Sequence, residues 1–250
     1  NPMPAYLQLC IQTFEKHASA RFVVRIVRPG DVSRLLCGEV HPAYKYLSLV
    51  HRADYLRCEL LHRYGGVYCD CDTLCWSDLS SPLSALDGAS AVMFDEHLLS
   101  EAGMNAGIFR RASHFTTAWR AALRGRLDRR ANALAEFRAQ NMSPTEDALS
   151  WNEVLRDLVV PLVHTTNRLM PRLLSDALRA HHWCPLRQQG FDPLLLAPAD
   201  VAEAPPSADV IVLNNNQYTQ RIKAMTRDEF LQSGCALASW LQRRALGITE

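Results

Sequence analysis

The stretch ADYLRCELLHRYGGVYCDCD, residues 53–72, contains the pattern that decides the fold. Its first half spaces leucines at helical intervals without a breaker, which predicts a helix over 53–64. Gly65 and Gly66 then favour an abrupt helix stop. The residues that follow predict a strand over 67–74. The two glycines allow the chain to reverse, so one face of the helix is expected to lie beside the end of the strand.

Charged side chains are spaced so that they meet at this reversal. Asp54 and Arg57 are three residues apart and share a helix face. Strand alternation places Tyr68, Asp70 and Asp72 on one side. Two carboxylates so close repel each other unless a cation lies between them or solvent surrounds them. Their hard oxygens suit Mg²⁺ or Mn²⁺, and a metal held there can bind a diphosphate and offset the charge that develops on it as a leaving group.

Two plainer interpretations of these residues stay open. Asp54 and Arg57 could form an ordinary surface ion pair, which contributes little to stability. Tyr68 could be a core aromatic residue. The nearby Asp70 and Asp72 favour a functional site for the helix pair.

The cysteines do not indicate a disulfide scaffold, because eight in 250 residues are too sparse and no CxxC pair occurs. Cys69, Cys71 and Cys75 are clustered and raise the alternative of a zinc or redox site. The same alternation that directs the aspartates to one side directs Cys69 and Cys71 to the other. We therefore expect small, buried thiols.

The rest of the chain alternates strands with helices. This order predicts an α/β fold, a mixed sheet flanked by helices, in a single domain over residues 1–250. A capping box at 226–229 opens a helix near the end of the chain. The predicted helices are 4–16, 113–127, 132–140 and 143–159, and the predicted strands are 21–28, 90–94, 105–110 and 208–213.

Composition excludes some classes of function. The formal net charge is +1, so the chain as a whole has no strong attraction for nucleic acid or an anionic membrane. No apolar run approaches the length needed to span a bilayer, and the N-terminus lacks the features of a signal peptide. We expect a cytoplasmic protein, or one in the Golgi lumen if an N-terminal anchor has been removed.

The whole helix–turn–strand pattern resembles the glycosyltransferase family with the DXD sugar-binding motif. That family includes capsular-polysaccharide sugar transferases, fungal Golgi mannosyltransferases and the glucosylating domains of large clostridial toxins. A looser similarity extends over residues 4–152. The family pattern is an A-D-x-x-R helix, an L-x-x-x-G-G turn and a Y-x-D-x-D strand, which here are Ala53, Asp54 and Arg57, then Leu61, Gly65 and Gly66, then Tyr68, Asp70 and Asp72.

The resemblance implies a GT-A-like, Rossmann-like fold and a metal-dependent transfer of a hexose with retention of configuration. The donor would be a UDP- or GDP-sugar, the acceptor a glycan or other hydroxyl, and the cofactor Mn²⁺ or Mg²⁺, as in polysaccharide biosynthesis. By the same resemblance, Asp54 and Arg57 contact the donor sugar, Asp70 contacts the ribose or the sugar, and Asp72 binds the metal directly. The family also places a polar group on the donor side near Asn105.

The chain departs from the family pattern at both ends. Members open with a strand of the form I-P-K-I-I, which nothing in this sequence supplies, so we expect that first strand to be missing before residue 1. Relatives also place a histidine or another polar ligand after the last strand. Asn214 and Asn216 stand there in this chain and are candidate metal ligands, while an asparagine-rich turn is an equal alternative.

Two other functions compete with transfer. A haloacid-dehalogenase-like phosphatase also uses two aspartates and Mg²⁺, but it needs D-x-D-x-T, and Thr73 follows Asp72 one residue too early. A non-catalytic sugar-nucleotide or glycan-binding module, derived from such an enzyme, is the alternative of a different class.

Overall fold

The computed structural model describes residues 2–18, 20–47, 49–88, 90–96, 101–138, 188–189, 209–213 and 220–247. Helices and strands are interspersed along these residues, in agreement with the predicted α/β class. The helices are α1 (Ala5–His17), α2 (Val32–Leu35), α3 (Leu49–Tyr64), α4 (Ser80–Ala85), α5 (His114–Arg138), α6 (Gln220–Lys223), α7 (Arg227–Leu231) and α8 (Ala236–Leu241). The strands are β1 (Gly66–Cys69), β2 (Thr73–Cys75), β3 (Ala91–Glu96), β4 (Glu101–Phe109), β5 (Gln188–Gln189) and β6 (Val210–Val212).

The described strands form two small sheets. The first has the order β1-β4-β3 and is antiparallel throughout. The second has the order β2-β6-β5, in which β2 pairs with β6 antiparallel and β5 pairs with β6 parallel. The predicted single mixed sheet is therefore divided in two within the described residues.

The division lies inside the predicted strand 67–74. The backbone carbonyl of Asp70 accepts a hydrogen bond from the backbone N–H of Thr73 at 3.1 Å, so the chain turns over residues 70–73. β1 before the turn joins the first sheet, and β2 after it joins the second. A continuous strand was predicted because the residue types favour one, but a turn closed by a local hydrogen bond is compatible with the same residues.

The predicted strand 21–28 is also not assigned as a strand. Residues 22–28 are non-helical and alternate in burial up to Val27, and Val23 is 88% exposed. Alternation of apolar residues is a local property, whereas a strand requires a hydrogen-bonded partner. No described residue supplies that partner.

The two helices predicted over 113–127 and 132–140 form the single helix α5. Neither glycine nor proline stands between them, so nothing in the sequence interrupts the helix. The capping box at Thr226 and Glu229 opens α7 as predicted. The helix predicted over 143–159 lies outside the described residues.

Gly65 ends α3 for a steric reason. Its φ is +67°, which favours glycine, and its N–H bonds to the carbonyl of Leu61. A Cβ at this position would lie 2.6 Å from the backbone nitrogen of Arg111. The chain therefore reverses directly from α3 into β1, as the sequence predicts.

The buried apolar residues form three clusters. One lies between α3, α5 and the segment 32–47. A second joins α1 to β2, β6 and the C-terminal helices. The third packs on the strands of both sheets. Within the described ranges, none of the helices combines the length and apolar character that a bilayer crossing requires.

Candidate functional site

Arg57 is the centre of a group of polar side chains between α3 and the end of β1. Its side chain is 9% exposed. Nη2 donates to Oδ1 of Asp70 at 3.1 Å, and Nη1 lies 3.7 Å from Oδ1 of Asp54. The guanidinium carbon is 4.5 Å from the centre of the Tyr68 ring. The four predicted residues Asp54, Arg57, Tyr68 and Asp70 therefore come together.

The charge of Arg57 is maintained by its neighbours. Burial opposes a charged guanidinium, but Tyr68, Asp70 and Asp54 outweigh that penalty, so the pKa of Arg57 lies above its ordinary value. Burial is also the main cause that raises the pKa of Tyr68. Tyr68 consequently keeps its proton, and its O–H donates a hydrogen bond to Oδ1 of Asp70 at 2.7 Å. An ion pair shielded from solvent fixes the orientation of the guanidinium.

Two polar atoms of this group have unused hydrogen-bonding capacity. Oδ2 of Asp54 and Nε of Arg57 are both shielded from solvent, and neither forms a hydrogen bond with a described residue. A buried polar atom without a partner costs about 1–3 kcal/mol. A ligand hydroxyl can donate to the carboxylate and accept from the guanidinium, so it suits such a pair. The arrangement is therefore suited to binding hydroxyl groups.

Asp70 and Asp72 lie in different surroundings because they belong to the turn between β1 and β2. The side chain of Asp70 is 34% exposed and contacts α3, whereas Asp72 is only 7% exposed. Cys71 between them is exposed. The prediction that Cys71 is a buried thiol is wrong, because strand alternation ends at Cys69. Cys69, also expected to be buried, is partly buried and packs against the strand cluster.

Asp72 lies between α1 and the end of β6. Its carbonyl accepts from the N–H of Leu213 at 2.9 Å. On α1, burial and the charge of Asp72 together raise the pKa of the Cys10 thiol. Asn214 and Asn216, the predicted further ligands, lie outside the described residues. The sequence nevertheless connects Asn214 directly to the residue that bonds Asp72.

The carboxylate oxygens around the turn are of a kind that suits a divalent cation. Asp70 and Asp72 offer carboxylate oxygens, which Mg²⁺ and Mn²⁺ prefer. In the part of the chain that the structure describes, no group of three or more His, Cys, Asp or Glu side chains is arranged to hold a metal. A cation bound here would take its other ligands from phosphate, water or residues outside that part.

Asn105 lies on β4 near the same turn. The pairing of β1 with β4 ends with Cys69 opposite Ala106. Asp70 follows Cys69 in the chain, and Asn105 precedes Ala106. The backbone of Asn105 therefore lies where the pairing of β1 with β4 ends and the turn begins. Its side chain lies outside the described residues.

His51 was not predicted from the sequence as part of this group. It precedes Asp54 by three residues on α3, and its Nδ1 lies 3.5 Å from Oδ2 of Asp54. The i, i+3 spacing that pairs Asp54 with Arg57 could have identified His51 as well. Glu59, a carboxylate buried between α3 and α5, was also not predicted.

The chain shows no significant match to a curated protein or to a solved structure. One family profile matches over residues 6–89, a range that includes α1, α3 and the turn between β1 and β2. The match confirms the resemblance inferred from the sequence: residues 6–89 are similar to the family model described as a glycosyltransferase sugar-binding region containing the DXD motif.

Proposed function

We propose that the chain transfers a hexose from a UDP- or GDP-sugar to a glycan or other hydroxyl acceptor. The transfer would depend on a divalent cation and retain the anomeric configuration. The observation that carries the proposal is the convergence of Asp54, Arg57, Tyr68 and Asp70 around two shielded polar atoms. It lies inside the matched sugar-binding region.

Asp54 and Arg57 are proposed to bind the donor sugar. Oδ2 of Asp54 accepts from a sugar hydroxyl, and Nε of Arg57 donates to a hydroxyl or a phosphate oxygen. Tyr68 and Asp70 hold the guanidinium in place, so little freedom is lost when the donor binds. Asp70, with a partly exposed side chain, is proposed to contact the donor as well, and Asn105 remains a proposed donor-side residue from the family resemblance.

Asp70 and Asp72 are proposed to hold Mn²⁺ or Mg²⁺, with Asn214 and Asn216 as further ligands. The support for the asparagines is the bond from Leu213 to Asp72, because Asn214 follows Leu213 directly. When bound, the cation would offset the negative charge that develops on the departing nucleotide diphosphate.

The chemical step exchanges one bond at the anomeric carbon for another. The bond to the diphosphate oxygen breaks and its electron pair leaves with the nucleoside diphosphate. The bond to the acceptor oxygen forms, and the proton of the acceptor hydroxyl passes to the departing diphosphate, directly or through water. Asp54 and Arg57 orient the sugar for this exchange. Retention of configuration is supported by the family resemblance alone.

We propose that residues 1–250 form one domain of GT-A-like type. The second apolar cluster supports a single domain, because it packs α1 at the start of the chain against α8 near its end. The pairing of β2 with β6 connects the same two regions.

The test begins with a panel of UDP- and GDP-sugars, screened by thermal shift with Mn²⁺ and with excess chelator. A ligand that binds the folded state raises its stability by mass action, so the donor should raise Tm in the presence of Mn²⁺. Arg57→Lys should lose that response, whereas Arg63→Lys, a matched change on the same helix, should keep it. A panel in which no nucleotide sugar raises Tm would contradict the proposal.

A hydrolysis assay then separates a transferase from a non-catalytic binding module. An active transferase slowly passes the sugar of its donor to water when no acceptor is present. A binding module releases the donor intact. Release of free sugar and nucleoside diphosphate by the wild type, and not by Asp72→Asn, is the expected result.

A further inference from the structure

His51, Asp54 and Arg57 form a row along one face of α3 at intervals of three residues. Asp54 is contacted from both ends of the row. Nδ1 of His51 lies 3.5 Å from its Oδ2, and Nη1 of Arg57 lies 3.7 Å from its Oδ1. Each carboxylate oxygen therefore faces a different nitrogen, and these contacts oppose rotation of the carboxylate about its bond to Cβ.

The two flanking side chains are shielded from solvent. His51 is 13% exposed and Arg57 is 9% exposed, whereas Asp54 between them is 26% exposed. Exposed i, i+3 pairs contribute little because water screens them. Shielding strengthens the electrostatic interaction between Asp54 and its neighbours. The exposed part of Asp54 is available to a ligand.

We propose that His51 is a positioning residue that orients Asp54 for the sugar of the donor. The inference rests on the proposed function, since it assigns Asp54 to sugar binding. A separation of 3.5 Å exceeds an ordinary N–H···O hydrogen bond. Contacts of catalytic groups are commonly long in the free enzyme and shorten when substrate binds. His51 thus acts through Asp54 and does not itself contact the donor.

The role of His51 requires that the nitrogen at the Nδ1 position carry a hydrogen, so that it can donate a hydrogen bond to Asp54. A carboxylate opposite Nδ1 favours the form of the imidazole that has a proton on that nitrogen. An asparagine at this position has its amide N–H at a similar distance along the side chain, whereas a leucine side chain has no group that can donate a hydrogen bond.

The experiment compares His51→Asn with His51→Leu by calorimetric titration of UDP-glucose and GDP-mannose in the presence of Mn²⁺. For the sugar nucleotide that the wild type binds, we expect His51→Leu to raise Kd about tenfold and His51→Asn to stay within about threefold. UDP and GDP without a sugar should bind the wild type and both variants equally. This comparison separates sugar recognition from a general structural effect.

A double-mutant cycle tests the route through Asp54. On an Asp54→Asn background, His51→Leu should change Kd for the sugar nucleotide by less than about twofold. His62→Leu, which removes another half-buried histidine from α3, should leave Kd unchanged. If His51→Leu does not fold, His51→Gln replaces it, because its amide extends past the Nδ1 position and should give a similar loss.

Three results would overturn the inference alone: an unchanged Kd in His51→Leu, an equal loss for the free nucleoside diphosphate, or full additivity with Asp54→Asn. Failure of the wild type to bind either sugar nucleotide or any other in the panel would overturn the inference and the proposed function together. The wild-type titration therefore distinguishes the two failures.

Discussion

Arg57 on α3 donates from Nη2 to Oδ1 of Asp70, 3.1 Å away, and so connects the helix to the first residue of the turn after β1. The two residues are thirteen positions apart in the sequence. Their contact depends on the reversal at Gly65, where a side chain would collide with the backbone of Arg111. The ion pair, the Tyr68 ring and Asp54 together determine the orientation of the guanidinium.

Replacing Arg57 by lysine should reduce kcat/KM for the donor by at least about tenfold, or about 1.4 kcal/mol of transition-state binding. An ammonium group lacks the planar fork that contacts Asp54 and Asp70 while it stacks on Tyr68. Steady-state kinetics of donor hydrolysis would measure the change. Arg63→Lys is the control, because Arg63 lies on the same helix and its ion pair is with the exposed Glu39, outside that helix. An unchanged kcat/KM in Arg57→Lys would reduce Arg57 to a structural role.

Asp72→Asn should fold and lose most of its Mn²⁺ affinity, because asparagine keeps the shape of the side chain and loses its charge. Asp70→Asn should lose less Mn²⁺ affinity than Asp72→Asn, because Oδ1 of Asp70 already accepts hydrogen bonds from Arg57 and Tyr68. Titration of the donor with and without Mn²⁺ would measure both effects. Donor binding by Asp72→Asn should be weak and independent of the metal. Equal binding and turnover by the wild type in excess chelator would contradict the metal role.

Glu59→Gln should lower the free energy of unfolding by about 3 kcal/mol. The Glu59 side chain is 2% exposed and accepts hydrogen bonds from Nε of both Arg120 and Arg124, which join α5 to α3. The expected loss is at the lower end of the range for broken buried pairs because both arginines reach solvent. Urea unfolding would measure it. Glu39→Gln, an exposed partner of Arg120, should change the free energy by less than about 1 kcal/mol. Equal losses in the two variants would contradict the prediction.

Cysteine reactivity should distinguish the exposed thiols from the buried ones. Cys37 and Cys71 are exposed, whereas Cys10 and Cys58 are buried with raised pKa values. Partial burial, followed by the charges of Asp70 and Asp72, raises the pKa of Cys71. The thiolate is the reactive form, so iodoacetamide should modify Cys37 first and Cys71 more slowly.

Peptide mass spectrometry over a time course at pH 8 would give these rates. Mn²⁺ with a bound donor should protect Cys71 and leave Cys37 unaffected, since only Cys71 lies between the proposed ligands. Modification of Cys71 as slowly as that of Cys10 would show that the turn is closed to solvent, contrary to the structure.

The sequence by itself determined the local units of the site. Periodicity predicts the helix that ends at Tyr64 and the strand β1 that follows it. Glycine at positive φ accounts for the reversal between them. The capping box at Thr226 is equally local, since its bonds join residues three apart. Because Asp54 and Arg57 share a helix face beside this reversal, their approach to Asp70 could be predicted as well.

Only the tertiary structure decided which strands pair and which side chains are buried. Residues 22–28 have the composition of a strand but lack a described partner, and pairing depends on residues distant in the sequence. The residue types predict one continuous strand over 67–74, whereas the hydrogen bond from the N–H of Thr73 to the backbone carbonyl of Asp70 turns the chain there. The turn exposes Cys71 and leaves Asp72 buried, because burial depends on what packs against a residue and not on its neighbours in the sequence.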